Sequence, residues 1–216
     1  LKQIMMEFEN TPMDIAGAGG RLLELHADTP ADQWRTVHLS QDNGNARRYM
    51  DSPPPDGAPL TPEEEEAYRT SPLLLYGSNT VFRRKAVLAV GGYEAKYRTN
   101  AEDSDLCDRL RAAGYHYAFS PHAIAWHHRR DTLETVLRTD WNWGFWLYHR
   151  HGYYADARTL AELLRWRIGL ACRRIAEDFQ LALRNAAFIS LASVFGHLAL
   201  DLRHMISQNR ISRKDA

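Results

Sequence analysis

Five acidic and imidazole side chains in the middle of the chain have the types and spacing to do chemistry together. Glu102, Asp103 and Asp105 stand within four residues of one another, and His127 and His128 follow after a short segment. A carboxylate can take a proton from a hydroxyl group, and carboxylate and imidazole groups bind divalent cations. The sequence therefore predicts a site with a general base and a metal ion. A second interpretation stays open, since acidic residues also favour the positive end of a helix dipole, by about 0.3–1 kcal/mol each.

A helix and a strand are predicted to position these residues. The segment EDSDLCDRLRAAG has apolar residues at helical spacing, and Gly114 stands where a glycine often ends a helix. The strand-like runs YHYAFS and AIAWHH follow, separated by Pro121. The carboxylates thus come at the start of a helix and the histidines at the end of an apolar strand, where they can converge.

Short motifs surround these residues in a fixed order. They are a G-x-N turn, a phenylalanine–arginine helix start, a Gly-Gly-aromatic stop, an acidic pair with an L-x-x-R-L tail and a strand ending in histidine: Gly77 and Asn79, Phe82 and Arg83, Gly91 to Tyr93, Glu102 and Asp103, Leu106, Arg109 and Leu110, and His127. This series resembles the second half of a family 2 glycosyltransferase catalytic domain. The resemblance implies an α/β fold, a partial GT-A domain for nucleotide-diphospho-sugars that is followed by a helical tail.

The resemblance also implies the chemistry. Such an enzyme transfers a sugar, with inversion, from a nucleotide-diphosphate donor to a glycan or lipid-linked acceptor, using a divalent cation, Mn or Mg. Asp103 is the implied catalytic base and His127 the implied metal ligand. The implied substrate-binding residues are Glu102, Gly77, Asn79 and Trp126. For Asn79 a second interpretation stays open, in which its side chain only satisfies backbone groups at a tight turn. Cell-envelope polysaccharide synthesis is the implied setting. Asp105 is expected to pair with Arg109 on the helix rather than to act on substrate.

Two other classes are weighed against sugar transfer. A hydrolase with Glu102 and Asp103 as acid and base is disfavoured, because adjacent residues at a helix start rarely stand the ~5–10 Å apart that such a pair needs. A non-catalytic fragment or interaction module is the other class. No D-x-D motif precedes Gly77, and the chain starts at Leu1 within a helical pattern. We therefore expect the nucleotide-binding half of the domain to be missing and the start not to be a natural N-terminus.

Composition excludes partners that bind through overall charge. Lys plus Arg and Asp plus Glu number 27 each, so nothing favours nucleic acid. Cys107 and Cys172 lie in helical patterns, and their spacing fits neither a zinc site nor a disulfide framework, which favours a reducing compartment. The start of the chain does not show the pattern of a signal peptide. These features predict a cytoplasmic protein.

The chain is predicted to fall into two parts. Residues 1–150 are the C-terminal part of the catalytic domain, and residues 151–216 are a basic helical tail. Residues 51–72 carry six of the nine prolines and a run of glutamates. This segment is either a solvated connector or a flexible flap over the acceptor cleft. Residues 14–20 are expected to form a short strand ending in a glycine turn. Trp34, Arg35 and His38 are expected to share a helix face packed in the core.

The tail has helical patterns of two kinds. Leu160, Leu164, Ile168, Ala171, Ile175 and Phe179 form an apolar stripe. Further on, residues 186–200 carry no charge. This run has a polar line opposite an apolar one: Ser190, Ser193, His197 and Asp201 against Phe188, Leu191, Phe195 and Leu198. It is shorter than the ~20 residues that span a bilayer, so an amphipathic helix is predicted. Two interpretations stay open: peripheral contact with the inner face of the membrane, or packing against the catalytic domain or in a dimer.

Overall fold

The structure is a computed structural model, and it describes the following residues: 2–41, 75–97, 100–150 and 156–212. The chain divides into two compact units. The first unit comprises Leu1–His26 and Ser40–Arg129, and the second comprises Ala27–Leu39 and Arg130–Ala216. The predicted flap, residues 51–72, lies outside the described residues. The predicted domain boundary at residue 150 stays a prediction.

Helices and strands both contribute to the described part of the chain, as the α/β prediction requires. In chain order the elements are α1 (Lys2–Glu9), β1 (Ile15–Glu24), α2 (Pro30–His38), β2 (Thr80–Phe82), α3 (Arg84–Ala89), α4 (Glu102–Ala112), β3 (His116–His127), α5 (Leu133–Arg150), α6 (Ala157–Gln180) and α7 (Arg184–Ser212). The predicted helix start at the acidic cluster is confirmed, and Gly114 follows α4 with a φ of 85°, which glycine adopts readily.

The first unit is built on strand β1. Within the described residues its sheet has three strands in the order β2-β1-β3, with β1 antiparallel to β2 and parallel to β3. Strand β1 is buried along nearly its whole length. Ile4 and Phe8 of α1 pack in one cluster with Ala18 of β1. Leu106 and Leu110 of α4 pack in another with Ala16, so β1 contributes to both clusters.

The glycines of residues 14–20 do not form the predicted turn; they lie inside β1. A Cβ atom on Gly17 would come within 2.7 Å of a Phe82 ring carbon, and one on Gly19 within 2.7 Å of a Leu75 methyl carbon. The glycines are therefore needed for close packing rather than for a bend. A run of glycines in sequence does not distinguish these two uses.

Strand β3 bulges beside β1, and one side chain fills the gap. Gly20 pairs with Ser120 and Arg21 pairs with Ile124, so residues 121–123 have no partner in β1. The side-chain amide of Asn79 donates to the carbonyl oxygens of Arg21 and Ala123, at 2.8 and 2.9 Å. Asn79 thereby pairs two carbonyl groups at the point where the ladder is broken.

The second unit has a polar interior. Arg174 on α6 donates to both carboxylate oxygens of Asp140 on α5, at 2.7 and 3.0 Å. Arg167 on α6 lies 3.1 Å from the carboxylate of Asp201 on α7. All four side chains are buried. Paired charges and bidentate hydrogen bonds therefore connect the helices, where apolar side chains do so in most bundles.

The apolar stripe predicted for α6 is wrong in part. Ile168 and Phe179 are 46% and 57% exposed, whereas Arg167, Arg174 and Asp178 on the same helix are buried. The buried face is set by carboxylates on neighbouring helices, which the pattern of one helix does not show.

Helix α7 keeps its polar line inside. The buried side chains are Ser190, Ser193, His197 and Asp201, whereas Phe188 and Phe195 are 71% and 68% exposed. By length and composition, Arg184–Ser207 is long and apolar enough to cross a membrane, the one such stretch in the described helices. The prediction that this stretch is too short to span a bilayer is therefore wrong by length and composition, because the helix extends beyond the uncharged run at both ends.

The prediction that Trp34, Arg35 and His38 pack in the core is confirmed. All three are on α2: Trp34 and Arg35 are buried, and the side chain of His38 is only 3% exposed. The Trp34 indole donates to the Ser190 hydroxyl at 2.7 Å. The His38 ring contacts the Asp178 carboxylate at 2.8 Å.

Replacing Gly20 should destabilise the first unit. A Cβ at this position would lie 2.2 Å from the Ala123 carbonyl oxygen and 2.5 Å from the Asn79 amide nitrogen. We expect Gly20→Ala to lower the free energy of unfolding by about 1–3 kcal/mol, because backbone must move to make room. Urea unfolding followed by circular dichroism measures the change.

Gly169→Ala on α6 is the control, since its Cβ would meet only an Arg173 side-chain nitrogen at 3.8 Å. That change should be neutral or stabilising, by up to ~1 kcal/mol. Equal effects would contradict the steric argument.

Candidate functional site

The carboxylate of Asp103 lies against the turn that precedes β2. One of its oxygens accepts a hydrogen bond from the backbone N–H of Gly77 at 3.3 Å, and the other accepts from the N–H of Ser104 at 2.8 Å. Gly77 and Asp103 are 26 residues apart in sequence. The structure therefore brings together two of the residues predicted for the site and gives the carboxylate a defined direction.

The chain enters α4 through an unusual backbone. Asn100 and Ala101 have φ angles of 59° and 77°, in the left-handed region, and Ala101 offers no side-chain cap to the helix. The first turn instead contains Glu102, Asp103 and Asp105, which suit the positive end of the helix dipole. The dipole interpretation and the catalytic one are thus compatible for the same carboxylates.

Glu102 has an unsatisfied carboxylate oxygen beside Asp103. Its Oε2 atom is buried, and no described group forms a hydrogen bond with it. A buried carboxylate oxygen without a partner is costly, so such an atom commonly receives a ligand. A hydroxyl group of a substrate would satisfy it.

Two tyrosines lie near Asp103 that were not assigned a role from sequence. Burial raises the pKa of Tyr76, and the negative charge of Asp103 raises it further. The pKa of Tyr93 is also raised, first by partial burial and then by the negative charge of Asp103; this side chain is 51% exposed. Tyr93 follows two glycines, and their φ angles of 87° and 76° turn the chain after α3. Both phenols therefore stay protonated and are potential hydrogen-bond donors. The sequence signal was their position beside two glycine turns.

The remaining motif residues support the fold. Arg83 donates to the carbonyl oxygens of Ile15 and Thr11, both at 2.9 Å, and so ties the start of α3 to β1. Arg109 pairs with Asp105 at 2.7 Å, as predicted, and donates to the Val90 carbonyl at 2.6 Å. These arginines join α3 and α4 and thus hold the segment with Asp103 in place.

The side-chain amide of Asn79 has a structural role in the sheet. Both carbonyls that it contacts belong to the backbone of the sheet, so its amide group is committed there. Its predicted place in the substrate pocket stays a prediction. Trp126 lies in β3, paired in register with Leu23, and is 38% exposed.

His127 ends β3, directly beside Glu24 at the end of β1. The imidazole Nδ1 lies 3.2 Å from the Glu24 carboxylate, which is almost fully buried. A carboxylate on one ring nitrogen commonly orients a histidine whose other nitrogen binds a metal. His127 therefore fits the role of a single metal ligand. Within the described residues, however, no group of three or more His, Cys, Asp or Glu side chains is arranged to hold a metal ion. His128 instead packs its ring against that of His26.

The sequence is similar to known glycosyltransferases. Residues 65–200, more than half of the chain, match the family described as Glycosyl transferase family group 2. Over 142 residues, 60% of the chain, the sequence is 30% identical to a protein named "Probable glycosyltransferase YdaM" from Bacillus subtilis (strain 168). The aligned part covers 31% of that relative's length. No solved structure matches the chain. The family match includes Gly77, Asp103 and His127, and the chain belongs to glycosyl transferase family group 2.

Proposed function

We propose that this chain is the C-terminal part of a GT-A domain that transfers a sugar with inversion. The donor is a nucleotide-diphosphate sugar, and the acceptor is a glycan or lipid-linked sugar used in cell-envelope polysaccharide synthesis. The observation that supports this most is the Asp103 carboxylate, fixed by the Gly77 N–H and adjacent to the unsatisfied oxygen of Glu102. A carboxylate with a fixed direction, beside a carboxylate oxygen that lacks a hydrogen-bond partner, is suited to an acceptor hydroxyl.

Asp103 is the general base in this mechanism. It takes the proton from the acceptor hydroxyl as that oxygen forms a bond to the anomeric carbon. The bond from this carbon to the diphosphate breaks on the opposite face, so the configuration inverts and a nucleoside diphosphate leaves. Glu102 accepts a hydrogen bond from the acceptor. The backbone of Gly77 holds Asp103 in direction, and Trp126 offers an apolar ring to the substrate.

His127 supplies one ligand to a divalent cation, Mn or Mg, in this proposal. Glu24 orients its ring through Nδ1, so Nε2 is the nitrogen that would bind the metal. The cation, when bound, would offset the charge of the diphosphate. In the part of the chain that the structure describes, no group of three or more His, Cys, Asp or Glu side chains surrounds this position, so His127 is the one ligand that the proposal assigns.

Replacing Asp103 should stop turnover. We expect Asp103→Asn in the intact protein to lower kcat by about 10²–10⁴-fold with little change in the donor KM, because the amide keeps the shape and loses basicity. Release of nucleoside diphosphate from a panel of nucleotide-sugars measures this.

Asp108→Asn is the matched control for this experiment, since Asp108 is on the same helix with its side chain 56% exposed and contacts Arg111. A rate for Asp103→Asn close to that of the wild type would contradict the assignment. Wild-type protein that turns over none of the donors would favour the alternative, a non-catalytic interaction module.

Replacing His127 should specifically weaken the binding of the metal. We expect His127→Ala to raise the manganese concentration needed for half-maximal rate by at least about tenfold, while excess metal restores much of the rate. Rates are measured across a manganese titration, with His116→Ala as control, because His116 is exposed at the opposite end of the same strand. An unchanged half-saturation would assign His127 a structural role with Glu24.

The second unit touches the inner face of the membrane peripherally, which would keep the protein in the cytoplasm beside a lipid-linked acceptor. The polar line of α7 is buried, so the exposed apolar stripe is the face that remains for lipid. Arg184 and Arg203 are exposed on the same helix and are suited to anionic headgroups.

The full chain should bind anionic vesicles reversibly. We expect it to float with vesicles containing phosphatidylglycerol at low salt and to be released by alkaline carbonate. Phe188→Ser combined with Phe195→Ser should abolish flotation, since these side chains are the most exposed of the stripe. Leu88→Ser, at a side chain 57% exposed in the first unit, is the control. Flotation that survives carbonate would mean insertion, and no flotation would assign the stripe to a protein contact.

A further inference from the structure

A cavity of about 210 Å³ lies within the second unit. Helices α5, α6 and α7 supply its main chemical groups: Asp140, Trp143, Trp166, Arg167, Arg174 and His197. None of these residues belongs to the proposed transfer site, which lies in the first unit. The cavity therefore calls for its own explanation.

The charged groups in the cavity wall are neutralised in place. Arg174 is paired bidentately with Asp140, and Arg167 is paired with Asp201 just behind the wall. Because each guanidinium is held by a carboxylate, the wall offers donors and acceptors in fixed directions with little net charge. Such a wall favours a neutral polar ligand over an anion.

His197 is neutral as well. A guanidinium N–H of Arg167 donates to its Nδ1 at 2.6 Å, and its Nε2 lies 3.2 Å from the Leu137 carbonyl oxygen. This pattern assigns the ring proton to Nε2. Burial lowers the pKa of His197 to about 4, although Asp140 opposes the shift. At neutral pH the imidazole thus adds a fixed polar group without adding charge.

Two indole rings complete the wall. Trp143 is half-buried, and Trp166 is 45% exposed, so the aromatic lining extends from the interior towards solvent. A pyranose ring has an apolar C–H face that packs on an indole, and hydroxyl groups around its rim that need fixed donors and acceptors. The cavity is smaller than the ~300–1,000 Å³ of pockets for drug-sized ligands, which suits one ring.

We propose that the second unit binds a single neutral pyranose ring in this cavity, with the indoles of Trp143 and Trp166 against its C–H face. The paired side chains of Arg167, Arg174 and Asp140 hydrogen-bond its hydroxyls. The ring comes either from a free sugar or from one unit of a longer glycan. This site does not depend on the proposed transfer reaction.

Binding is tested on the full chain with methyl glycosides of glucose, galactose and N-acetylglucosamine. Tryptophan fluorescence and saturation-transfer NMR should show saturable binding of at least one of them, with a dissociation constant in the millimolar range. Trp166→Ala should weaken binding at least tenfold, about 1.4 kcal/mol. Ile168→Ala is the matched control, because Ile168 is on the same helix, is 46% exposed and does not line the cavity. It should bind as the wild type does.

Three further arms decide between explanations. A disaccharide of the same sugar should bind no more weakly than the methyl glycoside if the ring can belong to a glycan, and more weakly if only free sugar fits; both results support the single-ring site. Glucose 6-phosphate should bind more weakly than methyl glucoside, since the wall carries little net charge. Asp103→Asn should bind methyl glycosides normally, which separates this site from transfer.

If circular dichroism shows Trp166→Ala to be unfolded, Trp166→Phe replaces it, with an expected intermediate loss. No saturable binding by the wild type, undiminished binding by the Trp166 variant, or tighter binding of the phosphate would each overturn the proposal.

Discussion

The first unit depends on the hydrogen bonds between the Asn79 side chain and two strands of its sheet. Where β3 bulges, the carbonyl groups of Arg21 and Ala123 are paired by one amide group. Leaving a buried carbonyl unpaired costs about 1–3 kcal/mol, so this contact removes a penalty that the bulge would otherwise impose on both strands. Gly20 permits it, because only a residue without a side chain leaves room for the amide. The turn that carries Asn79 also presents the Gly77 N–H to Asp103. One short turn thus closes the sheet and directs the carboxylate.

The second unit follows a different physical logic. Its helices are joined by ion pairs that are buried, and much of its apolar surface is outside. Buried ion pairs seldom add net stability, because removing charges from water costs nearly as much as their attraction returns. They do restrict geometry, since a bidentate pair such as Arg174 with Asp140 tolerates little rotation between helices. The unit therefore keeps defined polar groups around a cavity, in addition to a buried apolar cluster that includes Trp34, Val136 and Ile189.

The sequence predicted features that lie within one segment better than contacts between residues that are distant in the chain. Helix α4 was predictable because its apolar spacing, acidic first turn and final glycine all act within one segment. The Asp105–Arg109 pair was predictable for the same reason. The glycine run in β1 was misread, since its use depends on Leu75 and Phe82, which are distant in sequence. Likewise, Arg167 and Arg174 are buried because each pairs with a carboxylate. That carboxylate lies 34 residues away in the sequence, so the periodicity of α6 does not predict the burial.

The same limit applies to the candidate site. Asp103 and Gly77 were both predicted as site residues, and the structure shows them in contact. They could be predicted because both belong to motifs of the same family series. Asn79 was predicted to line the pocket or to satisfy backbone groups at its turn. Its amide donates to two backbone carbonyls, but which carbonyls these are is visible only once the strands are paired around the bulge. Tyr76 and Tyr93 were assigned no chemical role, although Tyr93 belongs to the Gly-Gly-aromatic motif, and only the folded chain shows that both lie near Asp103.

The backbone before α4 places stability and precision in opposition. Ala101 adopts a left-handed conformation that costs an L-residue roughly 1–2 kcal/mol and that glycine adopts at little cost. Glycine at this position would relieve the strain and would be favoured if only the stability of the fold mattered. It would also allow the chain to enter the helix along several paths, so the first-turn carboxylates would lose their single direction. Alanine thus narrows the approach to the helix at the expense of some folding energy, and strain of this kind often lies beside functional groups, as it would here if Asp103 is the proposed base.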